Sequence, residues 1–173
     1  FIYLCMAESG LDPNAVSTAN AGGLWQFMPA TSKKYGLIVE SGVDERFHVE
    51  KSTEAACKYL KEAYDRFGSW TLAAAAYNLG PAGVATRMEK QGTTNYYDTF
   101  LPTETLRYMF RILSFKIMLE SPATYGFIIN DTDYYHPLTN YTEVEVKDVN
   151  IKWSEVAKNN GTNYKMLREL NQW

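Results

Sequence analysis

Up to about residue 120, the sequence is a succession of helical patterns bounded by glycine or proline residues. The first pattern covers the start of the chain and stops at Gly10, a residue type that often ends helices. The third begins at Ser52, a predicted N-cap, and ends at Gly68. The other patterns cover residues 29–36, 69–80, 82–92 and 102–120. No segment here alternates between apolar and polar residues at period two, so we predict an all-α structure for this part of the chain.

Two of the predicted helices carry apolar residues at helical spacing. In the third helix these residues are Ala56, Tyr59, Leu60, Ala63 and Phe67. In the sixth helix they are Leu106, Phe110, Leu113 and Ile117. Spacings of three and four residues place each set on one side of its helix. With 46% hydrophobic residues, the 173-residue chain also has enough apolar material for a substantial core.

The pattern changes after Phe127. A polar segment rich in turn-forming residues, 130–140, predicts a linker. Residues 141–149 alternate as a β-strand does, and two short helices are predicted over 151–161 and 163–171. We therefore place a domain boundary near residue 130, with a main domain over 1–130 and a small unit over 131–173. A unit of this size is below the usual limit for independent folding, so we expect it to dock on the main domain or to be cut short.

Charge and hydropathy exclude some classes of function. The formal net charge is −3 with both signs mixed along the chain, which argues against a nucleic-acid partner. No apolar run reaches the roughly 18 residues that a membrane-spanning helix needs. No signal peptide is visible, and the chain starts at Phe1 inside a helical pattern, as a mature or excised fragment would.

The two cysteines and two histidines do not predict a metal site. Cys5 and Cys57 each lie in an apolar helical pattern, so we expect two buried free thiols, with a disulfide as the alternative in an oxidising compartment. His48 and His136 are isolated from each other and from cysteine, so no zinc-binding spacing exists.

Glu8 is a candidate general acid. It follows Leu4 and Cys5 at helical spacing and lies in the last turn before Gly10, on an apolar face. Burial and the negative end of the helix dipole both disfavour an ionised carboxylate, so both raise the pKa of this side chain. A raised pKa lets a carboxylic acid keep its proton near neutral pH. The alternative, which this local pattern leaves open, is a glutamate at a helix end that turns towards water.

Four ordered motifs extend this interpretation. They are Glu8-Ser9, the segment GLWQFMP at 23–29, the segment AYNLG at 76–80, and LPTET at 101–105 followed by Tyr108. Together they closely resemble the signature of family 23 glycoside hydrolases, the lysozyme-like lytic transglycosylases related to goose-type lysozyme. The resemblance covers about residues 2–128, and the connecting segments resemble the membrane-bound branch of the family. It implies a mainly α, lysozyme-like fold.

The resemblance also implies roles for individual residues. Glu8 matches the catalytic carboxylate of the family. The implied substrate-binding residues are Ser17, Gln26, Met28, Tyr77, Asn78, Glu104 and Tyr108. Ser17 would face the N-acetyl group of the sugar, and Gln26 and Met28 would line the sugar site. Tyr77 and Asn78 would lie near the reacting centre. Glu104 and Tyr108 would brace the groove. Core packing is the alternative for Trp25, Phe27 and Tyr77, and a structural role is the alternative for Glu104.

The implied reaction cleaves the β-1,4 bond between N-acetylmuramic acid (MurNAc) and N-acetylglucosamine (GlcNAc) in peptidoglycan without hydrolysis, leaving 1,6-anhydroMurNAc ends. The family offers one catalytic acid, and substrate assistance by the 2-acetamido group of MurNAc can replace the second. Glu8 would act first as acid and then as base. An apolar wall of Trp25, Phe27 and Met28 would raise the pKa of Glu8 and exclude water. We expect no cofactor and no metal. The alternatives are a hydrolytic muramidase or chitinase of the same fold, and an inactive glycan-binding protein.

The small C-terminal unit resembles a LysM module, which binds N-acetyl sugars in glycan chains. The order strand, helix, helix fits, and the final strand of the module would lie beyond Trp173. The alternative is a packing extension of the main domain. The two resemblances together imply peptidoglycan glycan strands as partner, a monomer, and the bacterial cell envelope or periplasm as location. Peripheral or lipid-anchored association with a membrane, the outer membrane included, would require the full-length protein.

Overall fold

The computed structural model describes residues 1–134, 141–147 and 150–173. The chain divides into two compact units, Phe1–Ser121 together with Trp173, and Pro122–Gln172. The predicted boundary near residue 130 lies within the second unit and stays a prediction. His136, part of the predicted linker and the end of the predicted strand at 148–149 lie outside the described residues.

Within residues 1–121, all of which are described, six α-helices form as the sequence predicts. They are α1 Ile2–Ser9, α2 Pro29–Lys34, α3 Val49–Phe67, α4 Trp70–Leu79, α5 Pro81–Gln91 and α6 Thr103–Glu120. Gly10 ends α1 with φ 65°, a left-handed conformation that glycine adopts without steric cost. The chain therefore leaves the helix directly after the Glu8-Ser9 pair.

Two local predictions in this unit are wrong. Helix α3 begins at Val49 with His48 as its N-cap, so Ser52 lies inside the first turns and donates its hydroxyl to the Val49 carbonyl at 3.2 Å. A short antiparallel hairpin also interrupts the all-α pattern, with β1 Val39–Glu40 paired to β2 Val43–Asp44. Two-residue strands are too short to show the period-two alternation on which sequence prediction depends.

Helix α4 lies at the centre of the core. Its residues Leu72–Ala76 are all buried, and α3, α5 and α6 each pack against it. Four successive alanines, 73–76, let the neighbouring helices approach closely because they carry little side-chain volume. Tyr59 of α3 donates its buried hydroxyl to the Ala76 carbonyl at 2.7 Å, which ties these two helices together.

Most of the predicted apolar stripe of α6 faces away from the core, although Leu106 packs against it. Phe110, Leu113 and Ile117 are 58%, 37% and 51% exposed. The buried residues of this helix are Thr105, Tyr108 and Ile112. Helix α6 therefore places two polar side chains inside the unit, and one of them, the Tyr108 hydroxyl, contributes to the site described below.

The two cysteines are both free thiols. Cys5 is buried in α1, as predicted. Cys57 is exposed on α3, so the prediction of a second buried thiol is wrong. The other side of that part of α3, which carries Ala55, Ala56 and Tyr59, is the one that packs in the core.

The second unit contains the two short helices that the sequence predicts, α7 Trp153–Asn159 and α8 Tyr164–Leu170. The β-strand predicted over 141–149 is wrong for its described part, because residues 141–147 form no regular secondary structure. No described segment of this unit forms a second strand with which residues 141–147 could pair. A β-strand needs such a neighbour because its backbone hydrogen bonds are made between strands. Across the described parts of both units, no helix combines the length and the apolar character needed to cross a membrane.

Candidate active site

Glu8 lies partly buried in the last turn of α1, where this helix packs against α6. Tyr108 of α6, which is 1% exposed, donates its hydroxyl to Oε1 of Glu8. Burial raises the pKa of the Glu8 carboxyl above its ordinary value, and the negative charge of Glu104 raises it further. The Tyr108 hydrogen bond and the positive charge of Arg111 oppose this shift without cancelling it.

The partners of Glu8 come from one side of α6. Glu104, Tyr108 and Arg111 follow one another at intervals of four and three residues, which places them on the same helix face. Sequence analysis found the first two and missed Arg111. The three-residue spacing of Arg111 from Tyr108 could have indicated that both lie on one helix face. The sequence alone does not show that this face meets the end of α1.

Tyr108 remains protonated over the physiological pH range. Burial raises its pKa far above the ordinary value of a tyrosine, and the charge of Glu8 and the hydrogen bond to it add to the shift. The hydroxyl therefore serves as a permanent hydrogen-bond donor to Glu8. A donor of this kind stabilises the ionised carboxylate more than the neutral acid.

Tyr77 at the end of α4 joins this site to the loop that follows α1. Its hydroxyl donates to the Trp25 carbonyl at 2.8 Å. Burial raises its pKa well above the ordinary value, and the charge of Glu8 adds to that shift, so the two side chains lie in one electrostatic environment. Asn78 has a different contact, since its Oδ1 accepts a hydrogen bond from Thr105 of α6 at 2.8 Å.

The apolar wall predicted around Glu8 belongs mainly to the core. Trp25 and Phe27 are 5% and 3% exposed, so the core-packing alternative is the one observed for both. Trp25 also donates its indole N–H to Thr53 at 2.8 Å. Met28, by contrast, is 44% exposed immediately before α2, and its side chain is accessible to a ligand.

The loop between α1 and α2 carries Ser17 and Gln26. The Ser17 hydroxyl oxygen accepts a hydrogen bond from the Ala21 amide at 2.9 Å, and its proton has no acceptor among the described residues. The Gln26 side chain donates to the carbonyls of Ala15 and Gly23 at 3.0 and 2.9 Å. Its carbonyl oxygen accepts no hydrogen bond from any described residue. Both side chains therefore keep one hydrogen-bonding function for a ligand.

This loop is fastened to the end of α1. Ser9, next to Glu8, donates its hydroxyl to the Leu24 carbonyl at 2.8 Å, and the Cys5 thiol donates to the same carbonyl at 3.2 Å. Gly23, at φ 76°, packs so closely on the chain that a Cβ atom there would lie 1.9 Å from the Arg46 carbonyl oxygen. Glycine is the residue that permits both the backbone angle and the approach.

The predicted site residues thus fall into two groups. The structure brings Glu8, Tyr77, Glu104 and Tyr108 into one neighbourhood at the junction of α1, α4 and α6. Ser17, Gln26 and Met28 lie on the loop or at its end. Asn78 is tied to α6 by its hydrogen bond to Thr105. The catalytic and sugar-binding roles of these residues stay predictions.

Residues 1–100 match the family described as the transglycosylase SLT domain, and residues 142–173 match the soluble lytic transglycosylase C-terminal LysM-like domain. The chain therefore belongs to the transglycosylase SLT domain family and carries a LysM-like C-terminal segment. The family resemblance drawn from the four motifs is confirmed.

The curated relatives include membrane-bound lytic murein transglycosylase D of Escherichia coli strain K12 and the protein of the same name in Escherichia coli O6:H1 strain CFT073. Each is 34% identical to this chain over 137 residues, which make up 76% of this chain and 30% of the relative. The chain thus spans about a third of the length of these relatives.

Proposed function

We propose that this chain cleaves the β-1,4 bond between MurNAc and GlcNAc in peptidoglycan as a lytic transglycosylase and leaves 1,6-anhydroMurNAc ends. The observation that carries the proposal is the state of Glu8. This carboxyl has a raised pKa because it is buried, and it also accepts a hydrogen bond from a tyrosine that stays protonated. Membership of the transglycosylase SLT domain family supports the same reaction class.

In the first step, protonated Glu8 donates its proton to the glycosidic oxygen, which leaves as the C4 hydroxyl of GlcNAc. The carbonyl oxygen of the MurNAc 2-acetamido group forms a bond to C1 as the glycosidic bond breaks, which gives an oxazolinium-type intermediate. Glu8 is then a carboxylate. The Tyr108 hydroxyl and the positive charge of Arg111 stabilise it in this form.

In the second step, the Glu8 carboxylate takes the proton of the C6 hydroxyl of the same MurNAc. The C6 oxygen bonds to C1 as the bond from the acetamido oxygen breaks, and the anhydro ring closes. Glu8 is protonated again, so no water is consumed and the enzyme is ready for another turnover. Attack within one sugar gives the C6 hydroxyl a high effective concentration compared with water.

The opposing influences on Glu8 suit a group that acts as acid and then as base. Burial and the charge of Glu104 favour the neutral acid that begins the reaction. Tyr108 and Arg111 favour the carboxylate that the first step produces. Opposing influences of this kind let the same carboxyl give and recover a proton in successive steps.

The sugar-binding roles follow from the free hydrogen-bonding functions. We assign the Ser17 hydroxyl proton to the acetamido group of MurNAc and the Gln26 carbonyl oxygen to a sugar hydroxyl. The exposed Met28 side chain offers an apolar contact to a sugar ring. Tyr77 and Asn78 support the reacting centre from α4, and Glu104 and Tyr108 brace it from α6.

Product mass tests the proposal against the two rival functions. Purified peptidoglycan is incubated with the protein, and the soluble muropeptides are analysed by mass spectrometry. We expect products with anhydro ends, each lighter by one water than the corresponding hydrolysed product. Reducing-end products would assign the chain to the hydrolytic muramidases, and binding without soluble products would assign it to the inactive glycan-binding proteins.

We also propose that the C-terminal unit, which begins near residue 130, binds glycan strands of peptidoglycan through its LysM-like segment. The location that fits these partners is the bacterial cell envelope or periplasm. The same proposal includes membrane association and a monomeric state. The names of the relatives state membrane association for those proteins.

A further inference from the structure

The guanidinium of Arg46 is a buried positive charge that the proposed reaction does not use. Arg46 is 4% exposed and follows β2 in a 3₁₀ turn, Glu45–Phe47. A buried charge is costly unless its donors are paired. Arg46 satisfies this requirement through Asp44, with Nε donating to Oδ1 at 2.9 Å and Nη2 donating to Oδ2 at 2.7 Å.

Asp44 remains ionised because of this pairing. Burial alone would raise the pKa of its carboxyl, but the hydrogen bonds from Arg46 and the Arg46 charge hold that pKa below the ordinary value. The two side chains thus form a partly buried, doubly hydrogen-bonded ion pair.

The remaining nitrogen of the guanidinium reaches the loop that carries Gln26. Nη1 donates to the Asn20 carbonyl at 2.6 Å and to the Phe27 carbonyl at 3.0 Å. These carbonyls lie on either side of the 21–26 segment, so one group ties both ends of that segment to a fixed point.

This segment has an unusual backbone. Asn20 and Gln26 adopt positive φ angles of 65° and 50°, which residues with a side chain rarely do. Such conformations persist where surrounding contacts hold them. Arg46 donates hydrogen bonds to the carbonyl of Asn20 and to the carbonyl of Phe27, the residue directly after Gln26.

We propose that Arg46 is a positioning residue for the glycan site: its guanidinium, fixed by Asp44, holds the loop in the conformation that presents Gln26 to the sugar. The inference rests on the proposed function for the role of Gln26. A lysine keeps the charge but lacks the planar fork, and it cannot reach Asp44 and both carbonyls together.

The test is the variant Arg46→Lys, with Arg87→Lys as matched control. The guanidinium of Arg87 donates to the Gly83 carbonyl at 3.1 Å within its own helix, α5. Values of kcat and KM on soluble peptidoglycan fragments are measured well below the unfolding temperature. We expect Arg46→Lys to lower kcat/KM about tenfold or more, chiefly through KM, as loss of hydrogen bonds to a charged group does. The pH profile of Arg46→Lys should match that of wild type, because Glu8 sets this profile. The control variant Arg87→Lys should have the kcat and KM of wild type.

A double-mutant cycle with Gln26→Ala separates positioning from general stability. If Arg46 acts through the loop that carries Gln26, the combined loss is smaller than the product of the two single losses. Losses that multiply would overturn the proposal, as would a folded Arg46→Lys protein whose kcat/KM lies within about twofold of wild type. If Arg46→Lys does not fold, Asp44→Asn is measured in its place, and an unchanged KM in that variant would likewise overturn it.

Calorimetric binding of a GlcNAc oligomer gives a readout that does not depend on cleavage, and the affinity that remains in Gln26→Ala marks the share due to the LysM-like segment. A wild-type protein that produces hydrolysed fragments or none would refute the proposed function, while a weakened affinity in Arg46→Lys would still support the positioning role. If Gln26→Ala weakens the affinity and Arg46→Lys leaves it equal to that of wild type, the positioning role alone is refuted. An affinity unchanged in Gln26→Ala would refute the role of Gln26 and the positioning role with it.

Discussion

At the scale of single residues, the site is a balance of influences on one proton. Burial and Glu104 favour the neutral form of Glu8, whereas Tyr108 and Arg111 favour its carboxylate. Burial is the largest of these influences, and the pKa is raised. The hydroxyl of Tyr108 reaches Glu8 only because α6 turns this residue inward, although its neighbours Phe110 and Leu113 are exposed.

Replacing Glu8 by glutamine removes the proton while keeping the shape of the side chain. We expect Glu8→Gln to lower turnover of purified peptidoglycan by about 10²–10⁴-fold or more, because general acid–base catalysis contributes that much and the proposed reaction uses Glu8 in both steps. Circular dichroism should show an unchanged fold. Turnover near that of wild type would refute the assignment of Glu8.

The same variant carries a stability signature. Because the pKa of Glu8 is higher in the folded protein than in the unfolded chain, its contribution to stability is fully present at low pH and is lost as pH rises through the folded value. Glutamine does not ionise. Thermal unfolding should therefore show that Glu8→Gln gains stability relative to wild type as pH increases. At acid pH, where Glu8 is protonated in both the folded and the unfolded state, the difference in stability should not depend on pH.

Tyr108→Phe removes the donor to Glu8 and should alter the pH profile. The hydrogen bond lowers the pKa of Glu8, so its loss raises that pKa. Since the proposed reaction begins with protonated Glu8, the falling alkaline limb of activity should move to higher pH. We expect activity at the optimum to fall by about 10–100-fold.

The matched control for this measurement is Tyr96→Phe. Tyr96 is also buried, and its hydroxyl donates to the Thr105 carbonyl at 2.8 Å, so the control removes a similar hydrogen bond. Its pH profile should coincide with that of wild type. A limb that stays in place or moves to lower pH in Tyr108→Phe would contradict the role given to that hydroxyl.

Sequence analysis found Glu8 and Tyr108 but missed Arg111 and Arg46. The first two lie in short motifs, where the residue type and its spacing carry the information. The effect of Arg111 depends on how α1 meets α6, and that of Arg46 depends on a loop that precedes it by about twenty residues. Contacts between distant parts of a chain leave no periodic signal in either part.

At the scale of elements, local rules were enough for the presence of the helices, but not for the start of α3 or for the orientation of the helices. Gly10, Gly68 and Gly92 end helices where the sequence predicts them. The direction in which α6 faces was not predictable, because its exposed side carries Phe110, Leu113 and Ile117 at the spacing of a buried stripe. The hairpin at 39–44 was missed because its strands are shorter than one alternation.

The loop between α1 and α2 should tolerate little change at Gly23. We expect Gly23→Ala to destabilise the protein by at least about 3 kcal/mol, because a Cβ atom would overlap the Arg46 carbonyl at a backbone angle that alanine disfavours. Denaturation in urea measures this change. Gly36→Ala is the control, since it also has positive φ but open space around its Cβ position, and should cost about 1–2 kcal/mol. Equal costs in both variants would mean that the close approach contributes nothing.

At the scale of the whole molecule, the chain combines a unit with a proposed catalytic group and a unit with a LysM-like segment. The first unit contains every residue to which we assign a role in bond cleavage. The second unit is small, and its buried apolar residues among those described are Val156 and Ala157. The docking of this unit, which the sequence predicts from its size, stays a prediction.

Removal of residues 131–173 separates the two contributions. We expect the truncated protein to bind long glycan strands more weakly or to be less stable, because the second unit is proposed to bind glycan strands and is predicted to dock on the first. Cleavage of short soluble fragments should remain measurable. Complete loss of that cleavage in a truncated protein that circular dichroism shows to be folded would mean that the tail takes part in the chemistry.

The unequal exposure of the two cysteines has a practical consequence for chemical labelling. Thiol-directed reagents react with the thiolate. Burial raises the pKa of Cys5 to about 11, so this residue is both shielded and protonated. Cys57 is exposed on α3. We therefore expect a maleimide dye added near neutral pH to attach to this chain at Cys57 alone, which gives a defined labelling position without an engineered cysteine.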